Sequence, residues 1–216
     1  MEAKGIRQPG SAKPKPDAAE PGGMQVFPGT YKVVIALNGV KDSNYVLVKS
    51  DPRVPENTEI RKAQNALLES MTSTADKLTK GYDMLADAEE IAKKFEAQFK
   101  GTEGKEADSI RKRSKTIQTD ITKIRDFVEG KKVERQGYGQ IPVETVLTSY
   151  REARSYIVGK NVSPGNQEQA LVTKANKKME EAVVKINNFF AVNWKQYQEF
   201  IEMSKSSIFK PFQPLN

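Results

Sequence analysis

The sequence predicts a mainly α protein: an elongated antiparallel bundle of three to four helices, preceded by a β-hairpin. Three observations carry this. Apolar residues recur at seven-residue spacing across residues 56–99, the mark of a long helix that buries one stripe. Short Gly- and Asn-containing breaks divide most of the remainder into further stretches of helical period. Ahead of the helices, two β-rich runs flank Asn38-Gly39, a dipeptide that favours the positive φ angles of a tight hairpin turn.

Composition agrees with a thin bundle. Of the 216 residues, 37% are hydrophobic and 29% charged, as expected where a narrow apolar seam serves a large wet surface. Cysteine and histidine are both absent. That excludes thiolate nucleophiles, Cys or His metal sites and Ser-His-Asp triads. Only carboxylate, lysine or tyrosine chemistry is left, and no cofactor or metal is expected. No apolar run approaches the roughly 20 residues of a membrane span, and Met1-Glu2-Ala3-Lys4-Gly5 has no apolar signal region. The formal charge of +7 is spread among interspersed acids and bases, so it reads as solvated faces rather than a nucleic-acid surface.

Taken in order, residues 1–27 form a Pro/Gly-rich arm with too few apolar residues to order themselves. Residues 28–53 hold the hairpin. Its first strand, Thr30 to Leu37, places Tyr31, Val33, Ile35 and Leu37 on one face. Its second, about Ser43 to Lys49, fills both faces with Tyr45, Val46, Leu47 and Val48, so that Val34 with the Val46/Val48 pair makes the second face apolar as well. Two strands alone are marginal in water, and no other strand is expected. The hairpin therefore needs a partner: the helices, another copy of the chain, a separate protein partner or, the favoured reading, the opening strands of a sandwich lying upstream.

Residues 54–207 hold the helices. Asn57 or Thr58 caps the first, which runs from about Glu56 to Phe99 with Met71, Leu78, Leu85, Ala92 and Phe99 in one series and Ile60, Leu67, Thr74, Gly81, Ala88 and Phe95 in the other. After the turn Gly101-Thr102-Glu103-Gly104, a second helix spans Lys105 to Glu129 with Ile110, Ile117, Ile121, Ile124 and Val128 on one stripe. A third carries Val143, Val146, Leu147, Tyr150, Ala153 and Ile157. The last runs from Asn166 to about Ser206 along Leu171, Ala175, Met179, Ala182, Ile186, Phe189, Asn193, Tyr197 and Phe200. The first and last pair along their length, with the second and third stacked end to end upon them. Residues 208–216 form a tail whose Phe209 and Phe212 dock on the bundle or the sheet.

Candidate chemistry is sparse. Asp87, Glu89 and Glu90 crowd one turn, but Lys93 and Lys94 stand at ion-pair spacing, so a solvated face is expected. Arg111-Lys112-Arg113 with Lys115 is the densest basic cluster and the candidate anion-contacting patch; Tyr138, between two glycines, is the candidate loop contact. The aromatics Phe189, Phe190, Trp194 and Tyr197 sit at helical spacing and read as core.

Gly5-Ile6-Arg7, Lys13-Pro14-Lys15-Pro16, Pro28-Gly29-Thr30-Tyr31-Lys32 and Asp51-Pro52-Arg53 occur in that order. Together they resemble the C-terminal region of secreted bacterial proteins with a sortilin-like β-propeller, of the BNR-repeat and glycosyl-hydrolase-like kind. The resemblance implies an Ig-like module after the propeller, whose last hairpin opens on Pro-Gly-Thr-Tyr and passes through Asp-Pro-Arg into helices. No propeller and no Ser-x-Asp-x-Gly-x-x-Trp box occur here, so no propeller activity carries over. The expectation is a non-enzymatic structural and protein-binding module, the C-terminal part of a larger extracytoplasmic or surface protein. Two other classes stay open: a strand-exchanging subunit of a complex, and a basic helical module binding nucleic acid or anionic surfaces.

Overall fold

A computed structural model describes residues 2–11, 13–15, 17–53, 57–131 and 143–204. The chain is mainly helical, and its helices follow a hairpin as expected. Four strands come first: β1 (Glu2–Lys4), β2 (Gly22–Gln25), β3 (Gly29–Leu37) and β4 (Val40–Val48). The helices are α1 (Thr58–Gln98), α2 (Lys105–Glu129), α3 (Val146–Val158), α4 (Asn166–Asn188) and α5 (Lys195–Met203). A π-helical segment, Phe189–Trp194, joins α4 to α5.

At 1.5 Å per residue α1 is about 60 Å long, and every other helix lies along it. Asn57 caps its start, the side-chain oxygen accepting from the Ile60 amide at 3.2 Å. Its far end is closed by Arg111, whose guanidinium donates to the carbonyls of Phe99 at 2.7 Å and Thr102 at 3.0 Å. α2 runs back along the distal half of α1. α3, opened by a reciprocal Thr145–Thr148 cap, continues along the proximal half. α4 and α5 form the third layer. The expected end-to-end stacking of the two middle helices is thus observed.

The core runs the length of this rod. Met71, Leu78 and Leu85 of α1 meet Ile117, Ile121 and Val128 of α2, Leu147, Ala153 and Ile157 of α3, and Met179, Ala182 and Ile186 of α4, all buried. Gly81 lets α1 lie close against α4, since a Cβ there would meet Ile186 Cδ1 at 3.0 Å. Gly81 is therefore a close-packed position of the seam.

Several expectations need correction. The first and last of the seam residues in α1, among them Ile60, Leu67 and Phe99, are only partly buried, while Leu68, Ala75 and Tyr82 join the core. One stripe was expected, but α1 faces three neighbours and buries a wider arc. The third helix begins at Val146, leaving Val143 exposed. The last helix is interrupted. Residues eight apart in a continuous α-helix face directions about 80° apart, which would set Phe189 and Tyr197 towards opposite margins of one buried face. The wider π turn absorbs the offset: both are buried, and Asn193 turns outward to donate to Asp120 at 2.9 Å.

The stretch expected to stand off as an arm lies against the rod instead. β1 pairs antiparallel with β2, two strands that a Pro/Gly-rich composition conceals. Arg7 pairs with Asp83 at 2.5 Å and Lys13 with Asp87 at 2.8 Å. Pro9 is buried, Gly10 rests against Leu147, and Ile6 and Met24 pack on the core.

Candidate docking site at the hairpin and its base

β3 and β4 pair through nine residues each, in register from Gly29–Val48 to Leu37–Val40. The turn is Asn38-Gly39 with φ of 49° and 82°, the left-handed values that Asn and Gly accept most readily. At the other end the Tyr31 hydroxyl donates to the Phe27 carbonyl at 2.7 Å.

This register assigns the faces. Residues directly opposite share a face, so Tyr31, Val33, Ile35 and Leu37 stand with Val40, Val46 and Val48. The expectation that Val46 and Val48 lie on the second face is corrected. They complete the first, and the second face carries Val34, Tyr45 and Leu47 beside Thr30, Lys32, Ala36, Lys41 and Ser43. The first face is strongly apolar, broken only by Asp42 and Asn44.

Among the described residues no helix packs along this hairpin. Ile35, Leu37 and Val40 remain 69%, 71% and 72% exposed, an unusual concentration of uncovered apolar side chains for a folded chain. Towards its base the apolar face becomes half-buried at Tyr31, Val33 and Val48. There it meets a cleft of about 980 Å³ between β2, the end of β4, the start of α1 and the end of α3. Met24, Val26, Val48 and Ile60 supply apolar wall; Lys49, Arg61, Arg154 and Lys160 supply cations. Arg61 lies over the Phe27 ring at 5.1 Å. Lys160 is paired with Glu168 at 2.5 Å, and this lysine together with the Gly165 amide holds the Glu168 carboxyl down at about 2. Asp51, the acid of the lining, is held below its usual range by Arg53.

The expected basic patch is not assembled as one surface. Arg111 is spent on the end of α1 and on Asp108. Arg113 lies over the Phe200 ring at 4.1 Å, Lys115 reaches Glu96 at 3.7 Å, and Lys112 is exposed. Tyr138 and the tail with Phe209 and Phe212 lie outside the described residues. The carboxylates of the first helix are likewise distributed: Asp87 to Lys13, Glu90 to Lys94, and Glu89 to Lys93 and Arg125. Burial opposes ionisation of Glu89, but those two cations outweigh it and keep its carboxyl below the usual range.

Among the buried hydroxyls of the core are those of Tyr197 and Tyr82. Tyr197 shares a hydrogen bond with Ser114 at 2.8 Å; burial pushes its hydroxyl up, with Ser114 opposing. The Tyr82 hydroxyl makes no close hydrogen bond among the described residues, and burial, reinforced by the nearby Glu129 carboxylate, pushes its ionisation far above the ordinary tyrosine range. Tyr197 borders a small cleft of about 190 Å³ shared with Arg113, Asp120 and Asn193. Among the described residues no group of acids is placed to hold a metal ion, and no helix is long and apolar enough to cross a membrane.

Comparison with protein-family models, characterised proteins and solved structures finds no match to this chain.

Proposed function

We propose that this chain is a non-catalytic protein-interaction module: the β3–β4 hairpin docks into a partner's β structure, and the helical rod carries it as a spacer. The observation that supports this most is the hairpin's apolar face, left in water while every helix seam is covered. Two strands without a covering layer lack independent stability, so a partner layer supplies what the chain itself does not. Against an enzymatic role stand the absence of Cys and His and the dispersal of the acidic and basic clusters into separate pairs. The ordered motifs resembling the sortilin-like region favour an extracytoplasmic setting, in which an upstream or separate Ig-like sheet is the natural partner.

The test uses the full chain in the cells that produce it, with a photo-crosslinking residue at Ile35 or, as control, at Val184 on the exposed face of α4. One discrete adduct from Ile35 and none from Val184 is expected. Ile35→Lys is expected to abolish co-purification of that adduct's partner while leaving the melting temperature unchanged. Adducts from Val184 alone, or turnover of a glycoside or peptide at enzyme-like rates, would remove this reading.

A further inference from the structure

The two long edges of the hairpin are not equivalent. With a two-residue loop closing on Leu37–Val40, hydrogen-bonded and non-bonded pairs alternate away from the turn. The amides of Thr30, Lys32, Val34 and Ala36 then face outward from β3, and those of Lys41, Ser43, Tyr45 and Leu47 face outward from β4. On β4 the middle pair is already occupied. The Ser43 amide donates to Asp42 Oδ1 at 2.7 Å, and the Tyr45 amide to Asn44 Oδ1 at 2.8 Å. Each is satisfied by the side chain just before it, which blunts this edge against an incoming strand. On β3 the residues preceding the outward amides are Gly29, Tyr31, Val33 and Ile35. None has a side-chain oxygen that can fold back in this way, since the Tyr31 hydroxyl reaches Phe27. Among the described residues the β3 edge stays open.

We propose that the outer edge of β3 is the docking edge, and that its occupant is an extended strand of a protein partner with alternating apolar and acidic residues. This rests on the hairpin-docking function above and adds which edge is used and what chemistry it selects. Apolar side chains of the added strand continue the face of Tyr31, Val33, Ile35 and Leu37. Its acidic side chains fall on the opposite face, where Lys32 and Lys41 stand without a carboxylate on either strand, and an opposite charge beside Lys32 is the favoured cross-strand pair. The third strand also brings the hairpin to the smallest sheet that is stable with one apolar face. A second copy of the chain fits less well. It brings no acid to Lys32. Stacking two hairpin faces of about 30 Å by 10 Å buries about 600 Å², half of the roughly 1,200 Å² of a stable interface.

The experiment follows backbone amide exchange by NMR in the full chain, with an acetylated Glu-Val repeat peptide of about eight residues, one strand's length, and its Lys-Val counterpart, each at millimolar concentration. The Glu-Val peptide is expected to slow exchange at Thr30, Lys32, Val34 and Ala36 while leaving Ser43 and Tyr45 as they were, with the Lys-Val peptide at least about tenfold weaker. Lys32→Glu is expected to reverse that preference. Equal binding of both peptides, protection at Ser43 and Tyr45 instead, or no protection at β3 would each overturn the proposal. So would a concentration-dependent dimer that protects β3 without peptide, which would make a second copy the occupant. An Ile35 adduct together with an unprotected β3 edge leaves the docking function standing and removes only the edge; the loss of both removes both.

Discussion

The rod and the hairpin carry the same kind of signal, periodic apolar residues, and end in opposite states. In the rod, Leu78, Leu85 and Ile121 are fully withdrawn from water. In the hairpin, Leu37 and Val40, equally apolar, are left almost three-quarters exposed. Chain path decides the difference. α2 returns alongside α1, α4 returns alongside α3, and α1 lies against α4 as well, so one seam covers the next. The hairpin is followed by a segment that leads into α1 and away, and nothing in the described chain returns over its apolar face. Apolar periodicity therefore measures a demand for burial, and where the chain does not meet that demand itself, the exposed face becomes a means of association.

The largest expected effect lies in the rod. Leu78→Ala removes side-chain volume at a position with no exposure, where α1 is hemmed in on three sides and the surroundings cannot collapse to fill the gap. A loss of about 2–5 kcal/mol is expected, read by chemical denaturation as a lower midpoint with unchanged slope. A loss under about 1 kcal/mol would mean that the rod is loosely packed and that burial does not separate the two regions.

A middle-sized effect lies where rod and hairpin meet, and it depends on pH. The Glu168 carboxyl is held at about 2 by Lys160 and the Gly165 amide, against about 4.3 in an unfolded chain. As pH falls, the unfolded state takes up this proton first, so the native state loses relative stability between those values. The contribution is complete above about pH 4.3 and gone below about 2. Glu144, held at about 2 by Lys174 and Ser149, acts in the same direction. Glu168→Gln is expected to lower the melting temperature at pH 7 and to flatten its decline between pH 5 and 2, measured by scanning calorimetry across that range. An unchanged acid limb would show that this pair does not tie α3 to α4.

How much was legible follows from how local each cause is. The apolar stripe of α2 was legible, with Ile110, Ile117, Ile121, Ile124 and Val128 all buried, though Ala107 and Ser114 share that face unannounced because they carry little apolar signal. In α1 the same periodicity missed Leu68, Ala75 and Tyr82, since heptad spacing marks a single seam and this helix has three. The π segment answers a tertiary requirement, the burial of Phe189 and Tyr197 together, that no local pattern announces. The Asn38-Gly39 turn was legible because backbone strain writes itself into residue choice. The blunted β4 edge was half legible: Asp42 and Asn44 are visible as short polar side chains, but which amides point outward depends on register. Arg111 was singled out for its charge, and only the fold shows it bent back to close the end of α1.

The smallest expected effect is the sharpest test of the comparison. Leu37→Ala repeats the chemistry of Leu78→Ala at a side chain that is 71% exposed. Its atoms already face water, no cavity forms on truncation, and its neighbour across the strand, Val40, is as exposed as Leu37 itself. A change within about 0.5 kcal/mol is expected, measured by the same denaturation experiment at pH 7. Slower amide exchange along the strands of this variant would not bear on it; a lowered global midpoint would. A loss on the scale of Leu78→Ala would mean that the apolar face is already buried in solution, and with it the reason to expect a partner would go.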